Sequence, residues 1–268
     1  MTGFAPEWLA LREGADHRAI NHAVRRELVR YLSGRDAVNI ADLGCGTGSN
    51  FRSLVPDILI RQSWLLVDLD PQLLQLANVM TPDLARSRNI DVRILAADLS
   101  NGDLDGIASP TDLITAAALF DLVSADVIQK MVQTIATNNC AFYTVLTYDG
   151  LATWLPETPL NPLLRDAFNR HQQTDKGFGP AAGPAATDVL AAAFAQHGYR
   201  VLRGHSPWLL DGSLTTLRHE ADRGWIGAVV ETGELDQGDA DVWLQAREDD
   251  DSAITIVGHE DLLALPPS

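Results

Sequence analysis

Residues 39–50, Asn39-Ile40-Ala41-Asp42-Leu43-Gly44-Cys45-Gly46-Thr47-Gly48-Ser49-Asn50, decide the fold. The apolar run from Val38 to Leu43 reads as a short strand, and it empties into three glycines spaced G-x-G-x-G. Glycines at such a turn let the chain reverse tightly and let a ligand approach bare main chain, while the next helix presents free N–H groups. A nucleotide-like cofactor suits that geometry. The spacing is not the G-x-G-x-x-G of dinucleotide folds, and an acid, Asp42, stands two residues before the first glycine, which leans away from a nicotinamide dinucleotide.

A glycine turn alone is weak evidence, so the flanks must agree with it. Upstream, Glu7 to about Leu32 sets Ile20, Val24, Leu28 and Leu32 at four-residue spacing, an amphipathic helix stopped by Ser33-Gly34. Downstream, Ser63 to Asp68 is a strand, and Asp70-Pro71 starts a helix that runs to about Ala85. Asp91 to Ala96 and Thr111 to Ala116 are further strands; a helix from about Ser124 to Thr137 leads to a fifth strand, Cys140 to Thr147. This alternation predicts a doubly wound α/β fold, with a mostly parallel sheet covered on both faces. The division expected is a helical cover over residues 1–35 and one domain over residues 36–268.

Residues 148–183 interrupt the rhythm with prolines and glycines and a helix near Asn161 to His171, which predicts a lid-like insertion after the fifth strand. Alternation resumes with a helix from Ala185 to His197, a strand near Tyr199 to His205, a helix near Ser213 to Val230 and a last strand near Ala253 to His259. Ser206-Pro207-Trp208 reads as packing. Between Glu231 and Asp251, nine acidic residues stand against one arginine, which reads as a solvated loop and helix end.

Two acids lie where a nucleoside would need them. Asp68 closes the second strand, where a carboxylate can accept from both ribose hydroxyls; Asp98, after the third strand, can accept from an adenine amino group. These residues together resemble the class I S-adenosylmethionine-dependent methyltransferases, over about Asp36 to Thr147. Asp42-Leu-Gly44-Cys-Gly46-Thr-Gly48 looks like the family's first motif, Val67-Asp68-Leu69-Asp70-Pro71 its second, Ala97-Asp98-Leu99 its third and Asp112-Leu-Ile-Thr-Ala-Ala-Ala-Leu its fourth. The resemblance implies a seven-stranded sheet with an antiparallel last strand, and S-adenosylmethionine as cofactor. It also implies that Gly44 and Gly46 pass under the methionine portion, that Asp68 holds the ribose, that Asp98 and Leu99 flank adenine, and that Ala116 lies near the sulfonium. Asp42, Gly48, Leu69 and Ala97 complete that expected cofactor site.

Charge fits this cofactor. Lys plus Arg is 20 against 36 Asp plus Glu, a formal net charge of −16 over 268 residues. Such a field repels nucleic acid, whereas a sulfonium carries no phosphate for an acidic pocket to repel. There is no Asn-Pro-Pro-Tyr or Asp-Pro-Pro-Tyr element and no Pro-Cys nucleophile of the kinds nucleic-acid methylating enzymes use. The partners expected are a small-molecule acceptor and, at most, a second copy of the chain as a homodimer. Cys45 and Cys140 form no pair or metal-ligand pattern, the first eight residues carry no signal-peptide pattern, and no run approaches the ~18 apolar residues of a membrane span. A soluble, cytoplasmic protein without a metal is expected.

Methyl transfer from a sulfonium is an in-line displacement, accelerated by holding the acceptor in place; a base helps where a hydroxyl or protonated amine must lose its proton. Loops after the fourth and fifth strands should supply such groups: Phe120-Asp121, then Tyr148-Asp149, then His171 through Asp175-Lys176-Gly177-Phe178. His171 is the base expected, with Tyr148, Asp149, Asp175 and Lys176 as acceptor-binding residues. Arg12, Glu13 and Asp16 on the first helix read as a salt-bridged surface turn. Three other functions stay open: methylation of RNA or protein with a partner subunit, a catalytically silent cofactor-binding module, and a nicotinamide dehydrogenase.

Overall fold

The structure is a computed structural model that describes residues 5–267. Met1 to Phe4, on which part of the expectation about the first eight residues rests, lie outside the described residues. Strands β1 (Ala37–Leu43), β2 (Arg61–Asp68), β3 (Asp91–Ala96), β4 (Leu113–Ala117) and β5 (Ala141–Leu155) pair in parallel, with β1 at the centre. Strands β6 (Arg200–His205), β7 (Trp208–Leu210) and β8 (Ile254–Leu265) complete the sheet. Its order is β3-β2-β1-β4-β5-β8-β6, with β8 antiparallel to β5 and β6, and β7 added beside β8. This is the sheet expected from the family resemblance, with one short strand, β7, added where Trp208 had read as packing.

Helices cover both faces. On one side α2 (His22–Leu32), α3 (Ser49–Leu54), α4 (Pro71–Met80) and α5 (Pro82–Arg88) bury Leu28, Phe51, Leu74 and Ala85 against Ile40, Trp64 and Tyr143. On the other, α6 (Ala125–Thr137) and α8 (Ala186–Gln196) bury Ile128, Met131 and Phe194 against Ile114 and Phe142. Burial of apolar area, worth roughly 25 cal/mol per Å², holds both layers on the sheet.

A third apolar cluster lies beyond the sheet proper and corrects three expectations. First, β5 does not stop at Thr147. It passes two register shifts, with Gly150 at φ 87, and runs on beside β8 to Leu155, so the insertion begins as strand. Second, the acidic stretch is not a loop: α10 (Gln237–Glu248) buries Ala240, Trp243 and Arg247, with its carboxylates on the outer side. Third, the amino-terminal helix is two. Helix α1 (Pro6–Ala19) ends at Ile20, and Asn21 caps α2 by accepting from the N–H groups of Ala23 and Val24. Helix α1 joins α7 (Asn161–Gln172), α9 (Thr215–Glu231) and α10 around Tyr148, Trp154, Trp225 and Trp243. No helix among the described residues is long and apolar enough to cross a membrane.

Candidate active site

The glycine loop follows β1 as a run of left-handed turns: Gly44 has φ 62, Gly46 φ 52 and Gly48 φ 83. A side chain at Gly44 would place its Cβ 3.2 Å from Leu119 Cδ1, and one at Gly48 would come within 3.0 Å of Thr81 Cγ2. Backbone conformation and space therefore both demand glycine. Asp68, at the end of β2, holds the loop: Oδ2 accepts the Gly46 N–H at 2.8 Å and Oδ1 the Asp70 N–H at 2.9 Å. One lone pair on each oxygen stays available to a ligand hydroxyl. Asp70 caps α4 by accepting from the Gln72 N–H at 2.8 Å.

Asp98, after β3, is exposed, and its Oδ1 accepts the Ser100 N–H at 2.8 Å. That backbone donor holds its carboxyl below the usual carboxylate range. Leu99 beside it is buried. Asp42 sits beneath the loop. It is fully buried, its Oδ1 accepts from Asn50 Nδ2 at 2.8 Å, and burial, aided by the charge of Asp68, pushes its carboxyl up to about 7. Asn50 also donates to Thr115 Oγ1 at 3.1 Å, so Asp42 ties β1, α3 and β4 together below the ligand surface.

A cavity of about 430 Å³ opens at these strand ends, lined by Gly44, Gly46, Asp68, Leu69, Ala97, Asp98 and Leu99 among the expected residues. Asp42, Gly48 and Ala116 do not reach the lining; at the end of β4, Ala117 and Ala118 reach it instead. A mostly apolar wall is formed by Leu119, Leu122, Val145, Leu146 and Phe178.

Its roof is α1, through Leu9, Arg12, Asp16, His17 and Ile20. Arg12 and Asp16 form a two-pronged ion pair at 2.9 and 3.2 Å, and Trp208 Nε1 donates to Asp16 Oδ1 at 3.0 Å. The guanidinium lies 4.7 Å from the Trp208 ring centroid. Burial pushes the Asp16 carboxyl up despite its partner. His17 Nε2 lies 3.0 Å from Ser49 Oγ, and Glu13 pairs with Arg52, whose Nη1 donates to the Thr47 carbonyl at 2.7 Å. The roof is thus fastened to the glycine loop by charged groups.

The acceptor-binding set expected from sequence does not assemble here. None of His171, Asp175, Lys176, Tyr148 or Asp149 lines the cavity; from that stretch only Gly177 and Phe178 reach it. His171 Nε2 faces Glu231 of α9 at 3.1 Å, and its Nδ1 faces Lys176 Nζ at 3.4 Å. Asp175 Oδ1 accepts from its own loop, from Gly177 at 2.7 Å and Gly179 at 3.1 Å. Tyr148 is buried in the third cluster and donates to Asn169 Oδ1 at 2.7 Å. Asp149 Oδ1 accepts from the Leu151 N–H at 2.9 Å. The continuation of β5 places Tyr148 and Asp149 within a strand, and the end of α7 docks on α9 instead of on the cavity. Among the described residues, no three His, Cys, Asp or Glu side chains group as a metal site.

Residues 40–138 match the methyltransferase-domain family. Among solved structures, the YcgJ protein of Bacillus subtilis is 12% identical, covers 92% of this chain and 100% of its own, and has a TM-score of 0.53. A Bacillus halodurans protein is 9% identical, covers 90% and 97%, and has a TM-score of 0.52. Those two bear on the fold. An S-adenosylmethionine-dependent methyltransferase of Geobacter sulfurreducens, solved with S-adenosylhomocysteine, is 15% identical over 98% of this chain and 99% of its own, with a TM-score of 0.49. Among curated proteins, none matches the sequence.

Proposed function

We propose that this chain, whose residues 40–138 match the methyltransferase-domain family, is a class I S-adenosylmethionine-dependent methyltransferase that moves a methyl group to an oxygen or nitrogen of a small molecule held beneath α1. The observation that carries this reading is the roof. The cavity, about 430 Å³ and covered by α1, falls within the roughly 300–1,000 Å³ usual for small-molecule and cofactor sites. A protein side chain or a nucleotide in a polymer needs an open approach. The net charge of −16 further disfavours an RNA substrate.

The residues present fit the donor. At Gly44 and Gly46 the loop offers bare main chain, and a Cβ on either would meet Leu119 or Leu9 at 3.2 to 3.4 Å. Asp68, Asp70 and Asp98 all line the cavity, a set of carboxylates that opposes a pyrophosphate and tolerates a sulfonium. Bound there, S-adenosylmethionine supplies an electrophilic methyl group. Asp68 holds the ribose hydroxyls, Asp98 and Leu99 flank adenine, and Gly44 with Gly46 underlies the methionine portion. The apolar wall of Leu119, Leu122, Val145 and Leu146 shapes the acceptor's seat, where orientation does most of the work.

A hydroxyl or ammonium acceptor also gives up a proton. His17, the imidazole on the cavity lining, takes the role that local sequence suggested for His171, and Arg12 orients an acceptor oxygen. The test is incubation with methyl-tritiated S-adenosylmethionine and a cell extract separated into metabolites and macromolecules. Label should enter the metabolite fraction. Label confined to protein or RNA contradicts the small-acceptor reading, and donor binding without transfer to either fraction favours a silent module.

A further inference from the structure

Two residues on the cavity wall hold left-handed backbone without being glycine: Ala118, with φ 50, after β4, and Leu146, with φ 58, inside β5. They are neighbours, since the Ala118 N–H donates to the Val145 carbonyl at 3.0 Å. Such conformations persist only where the surroundings over-determine them, and they concentrate at functional sites. At Leu146 the constraint comes from one side chain. Asp261 of β8 is fully buried, opposite the point where β5 carries an extra residue between Thr144 and Thr147. Its Oδ1 accepts the Leu146 N–H at 3.0 Å and the Ser206 hydroxyl at 2.6 Å. Its Oδ2 accepts the Asn21 N–H at 2.7 Å.

Asn21 is the joint between α1 and α2, directly after Ile20, which lines the cavity. The Asn21 side chain fixes the joint from the other direction: Nδ2 donates to the His205 carbonyl at 2.9 Å while Oδ1 caps α2. A single buried carboxylate therefore joins the hinge of the roof, the strained wall residue and the turn after β6. A buried charge is expensive unless its oxygens are hydrogen-bonded, and here three donors from three distant segments serve them, two on Oδ1 and one on Oδ2. No one of those segments can shift without leaving the carboxylate short of a partner.

We propose that Asp261 is a positioning residue that locks the α1 roof and the Leu146 wall together over the transfer site, so that donor affinity depends on a carboxylate that touches no ligand. This rests on the reading of the cavity beneath α1 as the donor and acceptor site. An asparagine at 261 keeps the shape but turns an amino group towards one set of these donors. For Asp261→Asn, S-adenosylhomocysteine affinity by calorimetry should fall by about tenfold or more, the scale of a lost hydrogen bond to a charged group. Amide exchange over residues 6–19 should quicken while exchange in β1 to β3 stays as in the wild type. Ser206→Ala removes a donor belonging to neither roof nor wall, and should stay within about twofold of wild-type affinity.

Asn21→Pro supplies the same test with Asp261 intact. The φ of −70 at Asn21 and the ψ of 133 at Ile20 accept proline, which deletes the N–H that reaches Asp261 together with the side chain that caps α2 and bonds the His205 carbonyl. Asn21→Ala loses that side chain but keeps the N–H, so measured against Asn21→Ala the proline variant should reproduce both effects even if Asp261→Asn does not fold. The inference is overturned if Asn21→Pro shows no more loss than Asn21→Ala, if a folded Asp261→Asn leaves affinity and roof exchange unchanged, if Ser206→Ala loses as much, or if exchange rises everywhere alike. Failure of the wild type to bind S-adenosylhomocysteine would instead remove the reading on which the inference rests.

Discussion

Replacing Asp68 by asparagine separates its two tasks. In the wild type each carboxylate oxygen accepts one backbone N–H, from Gly46 at 2.8 Å and from Asp70 at 2.9 Å, and each retains a lone pair for a ribose hydroxyl. Asparagine preserves the shape, but its amino group must face one of those N–H groups. One turn contact and one carboxylate-to-hydroxyl bond are then lost, and the surviving pair loses its charge. Hydrogen bonds to charged groups are worth about 1.5–3 kcal/mol net. The asparagine variant should therefore bind S-adenosylhomocysteine about 2–3 kcal/mol more weakly, roughly 30- to 150-fold. Calorimetric titration reads this directly, with thermal unfolding confirming that the variant is folded. A donor analogue lacking the 2′ hydroxyl closes a double-mutant cycle: it should lose affinity in the wild type and lose less in the variant. A folded variant within threefold of wild-type affinity, or a cycle with no coupling, refutes the assignment of Asp68 to the ribose.

Three further outcomes follow from buried charge and backbone shape. Asp42 keeps its proton in the fold up to about 7, against an ordinary 3.8. The stability it contributes is thus complete below about 3.8 and is lost as pH rises through about 7. Between pH 5 and pH 8 that loss is about 2–3 kcal/mol, and urea unfolding should show it in the wild type relative to Asp42→Asn; equal pH dependence of the two proteins contradicts it. Gly44→Ala forces a side chain into φ 62 with its Cβ 3.2 Å from Leu119, so stability should fall by about 1–2 kcal/mol, with weaker S-adenosylhomocysteine binding; unaltered denaturation and titration curves would speak against the tight loop. Arg247→Ala strands Asp222, which the guanidinium contacts at 2.8 Å in the interior, and should cost about 3–5 kcal/mol in urea unfolding; a loss under 1 kcal/mol contradicts a buried pair.

The part of the cavity that we assign to the donor was legible because its signals are local. A strand, three glycines and an acid at the end of each of the next two strands are short patterns whose meaning does not depend on distant chain. The roof was not, because Arg12, Asp16 and His17 look like any exposed polar turn until Trp208, 192 residues beyond Asp16, covers them. The joint between α1 and α2 did leave a mark in Asn21, a residue suited to cap a helix. The extension of β5 left one too: Ala152 and Trp154 are buried while Leu151, Thr153 and Leu155 are exposed, a period of two hidden behind the turn-like Asp149-Gly150. In α10 the spacing of Ala240, Trp243 and Arg247 was masked by the acids around it. His171 failed for a different reason. Its neighbours in sequence made chemical sense together, but the packing of α7 on α9 gave its imidazole to Glu231.

A crystal structure of the protein grown with S-adenosylhomocysteine tests the central claim most directly. The ligand should lie beneath α1, with its ribose hydroxyls on Asp68, its adenine against Asp98 and Leu99, and its amino-acid end over Gly44 and Gly46. A ligand found elsewhere on the protein, or a cavity that holds no ligand at saturating concentration, contradicts it.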